Sequence, residues 1–369
     1  MRLGTLGGVL ALAALGLAGC GGSSGVDGSA QGSTSLPSDP TKAALASTGP
    51  GVSDAKNCDV PYGDPPAADS TLISVSGAIG DVLDVLNFCE QDGAETLSWT
   101  DARGKPRKAC LVTPAGATPS SKLPLLVFLQ GSLFPAPVQL ILNNWVSLAN
   151  SADLNGDPQH PGFILLLPIG RNTQHFYPFP DDQALGWDNW HRDLDRSSPD
   201  LNLDVAAIDQ FIQQVESRNI VDTNRVYATG WSNGAAMAQL YALNTPSIAA
   251  SAVYSSPDPF KDVQDPCYQT PFATTLTPLM DIHNSCDIIG ICQTGTAFHK
   301  QLATLFPSLE QKSVIVDTAK NEVQECDASC ASQSIAGDPV GNVNHVIWPL
   351  TWNDAMFQWL REHPLSAKH

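Results

Sequence analysis

A Gly-Trp-Ser-Asn-Gly pentapeptide at residues 230–234 joins a short apolar run, RVYAT, to a segment of helical composition, NGAAMAQLYAL. Small residues two positions before and after a central serine let a strand and a helix pack closely around a sharp turn. Such a turn holds Ser232 in a strained conformation with its hydroxyl at the carboxyl edge of the sheet. The next N–H, from Asn233, starts the helix and can stabilise a developing oxyanion. The pattern predicts a nucleophilic serine; a structural serine in a Gly-rich turn is the alternative.

Short apolar runs alternate with longer segments of helical period after residue 58. This alternation is typical of a parallel sheet covered by helices on both faces. The sequence therefore predicts an α/β protein with one domain over residues 58–369, in which the segment before Leu125 supplies a hairpin or edge strands. The predicted strands are residues 125–129, 163–168, 225–229, 249–254, 279–283 and 313–317, and the predicted helices are residues 138–149, 203–216, 233–243, 296–305 and 354–361.

A serine nucleophile needs a base and an acid that orients it, and after a G-x-S-x-G turn the chain order is serine, acid, histidine. His345 lies in the loop GNVNHVIWP between the last predicted strand and helix, where the base is expected. Asp287 lies in the loop NSCDIIG after the strand PLMDIH. Asp281, inside that strand, and Asp258, after the preceding strand, are the alternatives. We predict a triad of Ser232, Asp287 and His345.

Two further roles are predicted around this triad. The loop after the first predicted strand reads Gln-Gly-Ser, and the N–H of Ser132 is the expected second oxyanion donor. Trp231 and Trp348 flank the predicted catalytic residues, so both are expected to line an apolar substrate pocket. For Trp187 and Trp190, a pocket role and a core role remain equally open.

The segments LPLLVFLQGS, DVAAIDQFIQQV, RVYATGWSNGAAMA, DIHNSCDIIG and NHVIWP, in this order, resemble the polyhydroxybutyrate depolymerase/feruloyl esterase group of α/β-hydrolases. The resemblance covers about residues 108–360. It implies an α/β-hydrolase fold and a carboxylic-ester hydrolase with Ser232, Asp287 and His345 as triad. The chain departs from the group's common His-Gly-Cys at residues 130–132, and from its H-G-x-x-D pattern in the acid loop at residues 283–287.

The expected function is hydrolysis of hydroxyalkanoate oligomers or polyesters, or of feruloyl or acetyl esters, with no cofactor. A serine peptidase on the same fold and a catalytically silent surface-binding lipoprotein are the alternatives. The formal net charge of −18 disfavours phosphate backbones and anionic membrane surfaces, so no nucleic-acid partner is expected. A monomer is expected.

The N-terminus has the layout of a bacterial export signal, with Arg2 followed by an uncharged apolar run that ends at Gly19. The closing Leu-Ala-Gly-Cys resembles the lipobox of bacterial lipoproteins, which implies cleavage after residue 19 and acylation of Cys20. Residues 20–57 are rich in Gly, Ser and Pro and are predicted to form a flexible tether. We therefore expect an exported protein that contacts a membrane only through this lipid anchor.

Eight cysteines remain after Cys20, and an even number in an exported domain predicts four disulfides. Cys286 with Cys292, and Cys326 with Cys330, are close enough in sequence to form small local loops. A zinc site is the competing interpretation, but no C-x-x-C pair occurs and the histidines are not grouped with the cysteines. No metal site is predicted.

Overall fold

The computed structural model describes residues 89–132, 139–140, 143–170, 186–187, 194–197, 202–261, 270–317, 321–330 and 339–365. Over these residues the strands form one mixed sheet with helices packed against it. The strands are β1 (Glu95–Thr100), β2 (Pro106–Val112), β3 (Leu123–Leu129), β4 (Ile164–Pro168), β5 (Val221–Trp231), β6 (Ala250–Tyr254), β7 (Leu279–Asn284), β8 (Gln311–Val316) and β9 (Glu322–Val323). The helices are α1 (Trp145–Ser151), α2 (Leu203–Glu216), α3 (Asn233–Leu243), α4 (Ile291–Leu305), α5 (Pro339–Val346) and α6 (Asn353–Glu362).

The strand order across the sheet is β1-β2-β4-β3-β5-β6-β7-β8-β9. Strands β4, β3, β5, β6, β7 and β8 run parallel, while β1, β2 and β9 form antiparallel pairs at the edges. The protein therefore has the α/β-hydrolase fold, as predicted. Since the carboxyl ends of parallel strands meet at one edge, the loops after β3, β5, β6 and β7 lie side by side.

The two faces of the sheet are covered by separate apolar clusters. Along β3, Leu125 and Val127 belong to the cluster that includes α2 and α3, while Leu126 and Phe128 belong to the cluster that includes α1 and α6. Successive strand residues point to opposite faces, so a strand buried on both must be apolar throughout. This explains why every residue of β3 is buried.

Helix and strand bounds agree closely with the predictions in the second half of the chain. Helices α2 and α3 have the predicted limits, and α2 begins after Asn202, whose side chain accepts a hydrogen bond from the Val205 N–H at 3.0 Å. Helix α4 begins at Ile291, earlier than predicted, and the described helix α1 begins at Trp145. His345 was predicted in a loop, and this is wrong: it lies in the last turn of the short helix α5.

Three disulfides join described cysteines: Cys89–Cys110, Cys286–Cys330 and Cys292–Cys326. The local loops that the spacing allowed do not form, because Cys286 in the acid loop and Cys292 at the start of α4 pair with cysteines after β9. The paired Cα atoms are 5.1 Å apart for Cys286–Cys330 and 5.9 Å apart for Cys292–Cys326, which shows that the two segments run alongside each other. The acid loop and the start of α4 are thus each tied covalently to the segment after β9.

Several predictions fall outside the described residues. These are the signal at residues 1–19, the acylated Cys20, the tether at residues 20–57, and any pairing of Cys58 and Cys267. Within the part of the chain that the structure describes, no helix is both long enough and apolar enough to cross a bilayer.

Candidate active site

The turn between β5 and α3 has the geometry predicted for Gly230–Gly234. Ser232 has φ 57° and ψ −127°, a left-handed conformation that non-glycine residues rarely adopt and that concentrates at functional sites. A Cβ atom on Gly230 would lie 2.5 Å from the carbonyl oxygen of Gly234, and one on Gly234 would collide with the backbone of Leu129 and Gln130. Both glycines are therefore required by the close approach of helix and strand.

Ser232, His345 and Asp287 form a continuous hydrogen-bonded chain. The Ser232 Oγ is 2.9 Å from His345 Nε2, and His345 Nδ1 is 2.8 Å from Asp287 Oδ1. Asp287 is 2% exposed, and its Oδ1 also accepts a hydrogen bond from the Ile288 N–H at 2.7 Å. Because a carboxylate only accepts, Nδ1 carries the imidazole proton, and the lone pair of Nε2 faces the serine hydroxyl.

The structure also shows where the two alternative acids lie. Asp281 is fully buried within β7, and its Oδ2 is 3.1 Å from His283 Nε2 and 3.3 Å from His299 Nε2. Burial opposes a charge on His283, but the nearby Asp281 carboxylate raises the pKa of His283 above its ordinary value. Asp258 accepts a hydrogen bond from the Phe260 N–H at 2.8 Å. Asp287 is thus the carboxylate that bonds to the His345 imidazole.

Ser255 is a fourth member of this group, and the sequence analysis missed it. It follows β6 directly, is fully buried and has φ 56°. Its hydroxyl donates to Asp287 Oδ2, and its Oγ is 2.8 Å from His345 Nδ1. The only signal in the sequence was its position at the end of a strand next to the one that leads to Asp287. Ser255 therefore contacts both the proposed base, His345, and the carboxylate that orients it.

Trp231 packs against the base and the loop after β3. Its indole N–H donates to the His345 carbonyl oxygen at 2.7 Å. A Cβ atom on Gly131 would lie 2.5 Å from the Trp231 ring, so this position accommodates only glycine.

Tyr254, at the end of β6, is hydrogen-bonded to the segment that carries the base: its hydroxyl donates to the Asn344 carbonyl oxygen. Burial, followed by the charge of Asp287, raises the pKa of Tyr254 well above its ordinary value, so the hydroxyl stays protonated.

Trp348 lies in the aromatic core. Its ring contacts Phe128, Trp145 and Tyr254, with ring centroids 5.5–5.9 Å apart, and its indole N–H donates to Asn353 Oδ1 at 2.8 Å. Trp348 is only 4% exposed, and its contacts give no support to the predicted substrate role. Trp187 is likewise buried, which favours a core role for it, while Trp190 lies outside the described residues.

The predicted oxyanion donors lie at the start of α3 and in the loop after β3. Asn233 is the first residue of α3, where backbone N–H groups have no acceptor within the helix. Its side chain is held by the Trp187 backbone, accepting from the N–H at 2.6 Å and donating to the carbonyl oxygen at 3.0 Å. The indole N–H of Trp187 in turn donates to the Gln130 carbonyl oxygen at 2.9 Å. Trp187 thus connects the loop that carries Ser132 to the start of α3.

No family model matches this chain, and no curated protein matches it. Among solved structures, the chain is similar to a thermostable esterase, with 18% identity and a TM-score of 0.44 over 74% of this chain and 64% of that one. It is also similar to a ferulic acid esterase, with 12% identity and a TM-score of 0.48 over 73% of this chain and 97% of that one.

A third similar structure is an acylaminoacyl peptidase from Pyrococcus horikoshii, with 13% identity and a TM-score of 0.39 over 66% of this chain. The chain spans 64% of the length of the thermostable esterase and 39% of that of the peptidase. The substrate of this protein has to be inferred from its own residues.

Proposed function

We propose that the protein is an exported serine hydrolase that cleaves carboxylic esters through an acyl-enzyme. The observation that carries this proposal is the hydrogen-bonded chain from Ser232 Oγ through His345 to Asp287, with donor–acceptor distances of 2.9 Å and 2.8 Å. A catalytically silent binding protein has no need to keep a strained serine aligned with an oriented base. The named esterases among the similar structures agree with this proposal.

In the first half of the reaction, Ser232 Oγ attacks the ester carbonyl carbon while His345 Nε2 takes the hydroxyl proton. Asp287 keeps the imidazole in the required tautomer and stabilises its positive charge. The backbone N–H groups of Asn233 and Ser132 are the proposed donors to the tetrahedral oxyanion. His345 then protonates the leaving alcohol, and the acyl group stays on Ser232.

In the second half, a water molecule gives a proton to His345 and attacks the acyl-enzyme. The collapse of the second tetrahedral intermediate returns the proton to Ser232 and releases the carboxylic acid. Each proton moves between oxygen and His345 Nε2, so the proposed cycle uses only the residues named above and water.

Esters with an apolar acyl part fit the surface beside the base. Val343 and Ile347 lie two residues before and after His345 and are 52% and 51% exposed, and Val340 and Leu350 on the same segment are 54% and 53% exposed. Exposed apolar side chains on the segment that carries the proposed base favour binding of an apolar ligand. This supports hydroxyalkanoate-type or feruloyl esters over charged substrates.

Export and anchoring complete the proposal. The three disulfides are typical of an oxidising compartment outside the cytoplasm. The lipobox-like sequence that ends at Cys20 supports acylation of that thiol and attachment to a bacterial membrane. Mass spectrometry of the protein from a membrane fraction tests this, and an unmodified thiol at residue 20 in a soluble product contradicts it.

A fluorophosphonate probe tests the proposed nucleophile directly. We expect covalent labelling of the wild-type protein at Ser232, loss of labelling in Ser232→Ala, and full labelling in Ser217→Ala, which changes an exposed serine at the end of α2. An ester panel with increasing acyl length, feruloyl and 3-hydroxybutyrate esters, and acylated peptides then identifies the substrate class. Absence of labelling contradicts a serine hydrolase, while labelling with cleavage of peptides alone indicates a peptidase.

A further inference from the structure

A second group of titratable side chains lies behind the acid loop and has no role in the proposed reaction. Asp281 and His283 come from β7, and His299 comes from α4. Asp281 and His283 are fully buried and His299 is 5% exposed. Three such side chains in the interior require either compensating protons or a bound cation.

The hydrogen bonds around His299 show which nitrogen faces the carboxylate as an acceptor. Its Nδ1 is 2.8 Å from Gln311 Oε1, and an amide oxygen only accepts, so Nδ1 carries the proton. In the neutral ring the lone pair is then on Nε2, which lies 3.3 Å from Asp281 Oδ2. Two acceptors facing each other in a buried space repel unless a proton or a metal cation lies between them.

Several buried polar atoms of His283 and Asp281 have no hydrogen-bond partner among the described residues. Within the described residues, neither ring nitrogen of His283 makes a hydrogen bond of acceptable geometry, although Nε2 is 3.1 Å from Asp281 Oδ2. Asp281 Oδ1 likewise has no hydrogen-bond partner there, whereas Oδ2 accepts from Gln239 Nε2 at 2.8 Å. Buried polar atoms without partners are uncommon and call for an explanation such as an ion.

We propose that Asp281, His283 and His299 bind a divalent transition-metal ion, with Zn²⁺ as the best fit. Bonds of about 2.0–2.1 Å in a tetrahedral site place neighbouring ligand atoms about 3.3–3.4 Å apart. The distances from Asp281 Oδ2 to the two Nε2 atoms are 3.1 Å and 3.3 Å, and the three ligand atoms all lie within 4.8 Å of one another. Imidazole and carboxylate are ordinary zinc ligands.

Two of the three proposed ligands, His299 and Asp281, have the second-shell hydrogen bonds that metal sites use. A ligating histidine commonly donates its other N–H to an oxygen acceptor, as His299 does to Gln311, and a ligating carboxylate receives a hydrogen bond, as Asp281 does from Gln239. A different candidate group, Cys286 with Cys330 and Asp327, does not qualify, because both of its cysteines are in a disulfide.

The metal would cross-link β7 to α4, the two elements on either side of the loop that carries Asp287. The ligands His283 and His299 enclose that loop in sequence, and disulfides join Cys286 within it and Cys292 just after it to Cys330 and Cys326. The ion would therefore have a structural role, since its ligands are not the residues of the Ser232–His345–Asp287 chain. This proposal does not depend on the ester hydrolysis proposed above.

Zinc content of the oxidised mature protein, purified without a histidine tag and measured by mass spectrometry, tests the site. We expect about one Zn²⁺ per chain in the wild type and in His160→Gln, which changes an exposed histidine paired with Asp157. His299→Gln should lower the content at least about tenfold. Gln311→Leu should weaken Zn²⁺ binding about 10- to 100-fold, since it removes only the second-shell acceptor.

Thermal unfolding of the wild-type protein tests the site without relying on the folding of a variant that lacks a metal-ligating residue. Chelation of the wild-type protein should lower its Tm, and added Zn²⁺ should restore it by about 5 °C or more when the metal exceeds its Kd about 100-fold. A wild-type protein with no bound metal whose Tm does not respond to Zn²⁺ would show that the group is a protonated histidine–aspartate pair, which overturns the proposal. Equal zinc loss in His160→Gln would overturn it as well.

Discussion

Two buried carboxylate–imidazole groups lie close together along β7 and the loop that follows it, and they differ in where the second imidazole nitrogen points. In the first group, Asp287 holds His345 Nδ1, and His345 Nε2 is 2.9 Å from the hydroxyl of Ser232. In the second, the Nε2 atoms of His283 and His299 both face Asp281 Oδ2. The first group leads to a nucleophile, while the second is closed on itself.

Burial does not separate the two groups, since Asp287 and Asp281 are 2% and 0% exposed. Their position along the backbone does distinguish them. Asp281 lies in a strand that packs on both faces, whereas Asp287 lies after the strand, where the loops at the carboxyl edge converge. An imidazole held by a carboxylate inside the sheet has no reacting atom to reach. We therefore propose that the same pair of residue types serves catalysis at the sheet edge and structural attachment within the sheet.

The largest expected effect comes from breaking the group that leads to the nucleophile. Ser232→Ala and His345→Ala should each lower kcat for a p-nitrophenyl ester by about 10⁴- to 10⁶-fold, and the double variant should lose little more, because the two residues act in one step. Steady-state kinetics on folded protein, checked by circular dichroism, measures this. Additive losses in the double variant, or an active Ser232→Ala, would contradict the proposed mechanism.

The second prediction compares the two aspartates directly. Asp287→Asn should lower kcat by about 10³- to 10⁴-fold, because the amide spoils the tautomer and charge support but leaves the nucleophile. Asp281→Asn should instead lower the free energy of unfolding, by about 3–5 kcal/mol, since it removes the buried negative charge that compensates the positive charge of the proposed metal ion or of an imidazolium in this group. Kinetics and denaturant titration of both variants test this.

The reverse pattern would assign the two aspartates the opposite roles. If Asp281→Asn loses its kcat with an unchanged unfolding midpoint, and Asp287→Asn keeps its activity, then Asp281 is the catalytic acid. The matched chemistry of the two substitutions makes this comparison decisive, because both remove one charge from a buried carboxylate of nearly equal exposure.

Local sequence was sufficient where local geometry decides the structure. The turn at residues 230–234 could be predicted because its two glycines and its serine follow a local sequence pattern, although the atoms that exclude a Cβ at Gly234 belong to the distant end of β3. The alternation of apolar strands and helices predicted the sheet, and the order of Ser232, Asp287 and His345 along the chain predicted which residues the structure brings into contact.

The features that sequence reasoning missed depend on neighbours in space. The nested disulfides Cys286–Cys330 and Cys292–Cys326 require the acid loop to lie beside the segment after β9, which no spacing of cysteines reveals. Trp348 was expected in a pocket because it follows His345 closely, but the chain turns it into the aromatic core. Ser255 reaches Asp287 only because β6 pairs with β7, where Tyr254 lies opposite Ile282.

The smallest expected effect concerns Ser255, which links the acid and the base without touching the nucleophile. Ser255→Ala should lower kcat about tenfold with KM unchanged, because a hydrogen bond to a charged group contributes about 1.5 kcal/mol or more and here it orients the pair. Ser256→Ala is the matched control, since the Ser256 hydroxyl donates to the Pro257 carbonyl oxygen. Ser255→Cys should recover part of the rate. Equal losses in Ser255→Ala and Ser256→Ala, or a fall in Tm with no change in kcat, would reduce Ser255 to a packing residue.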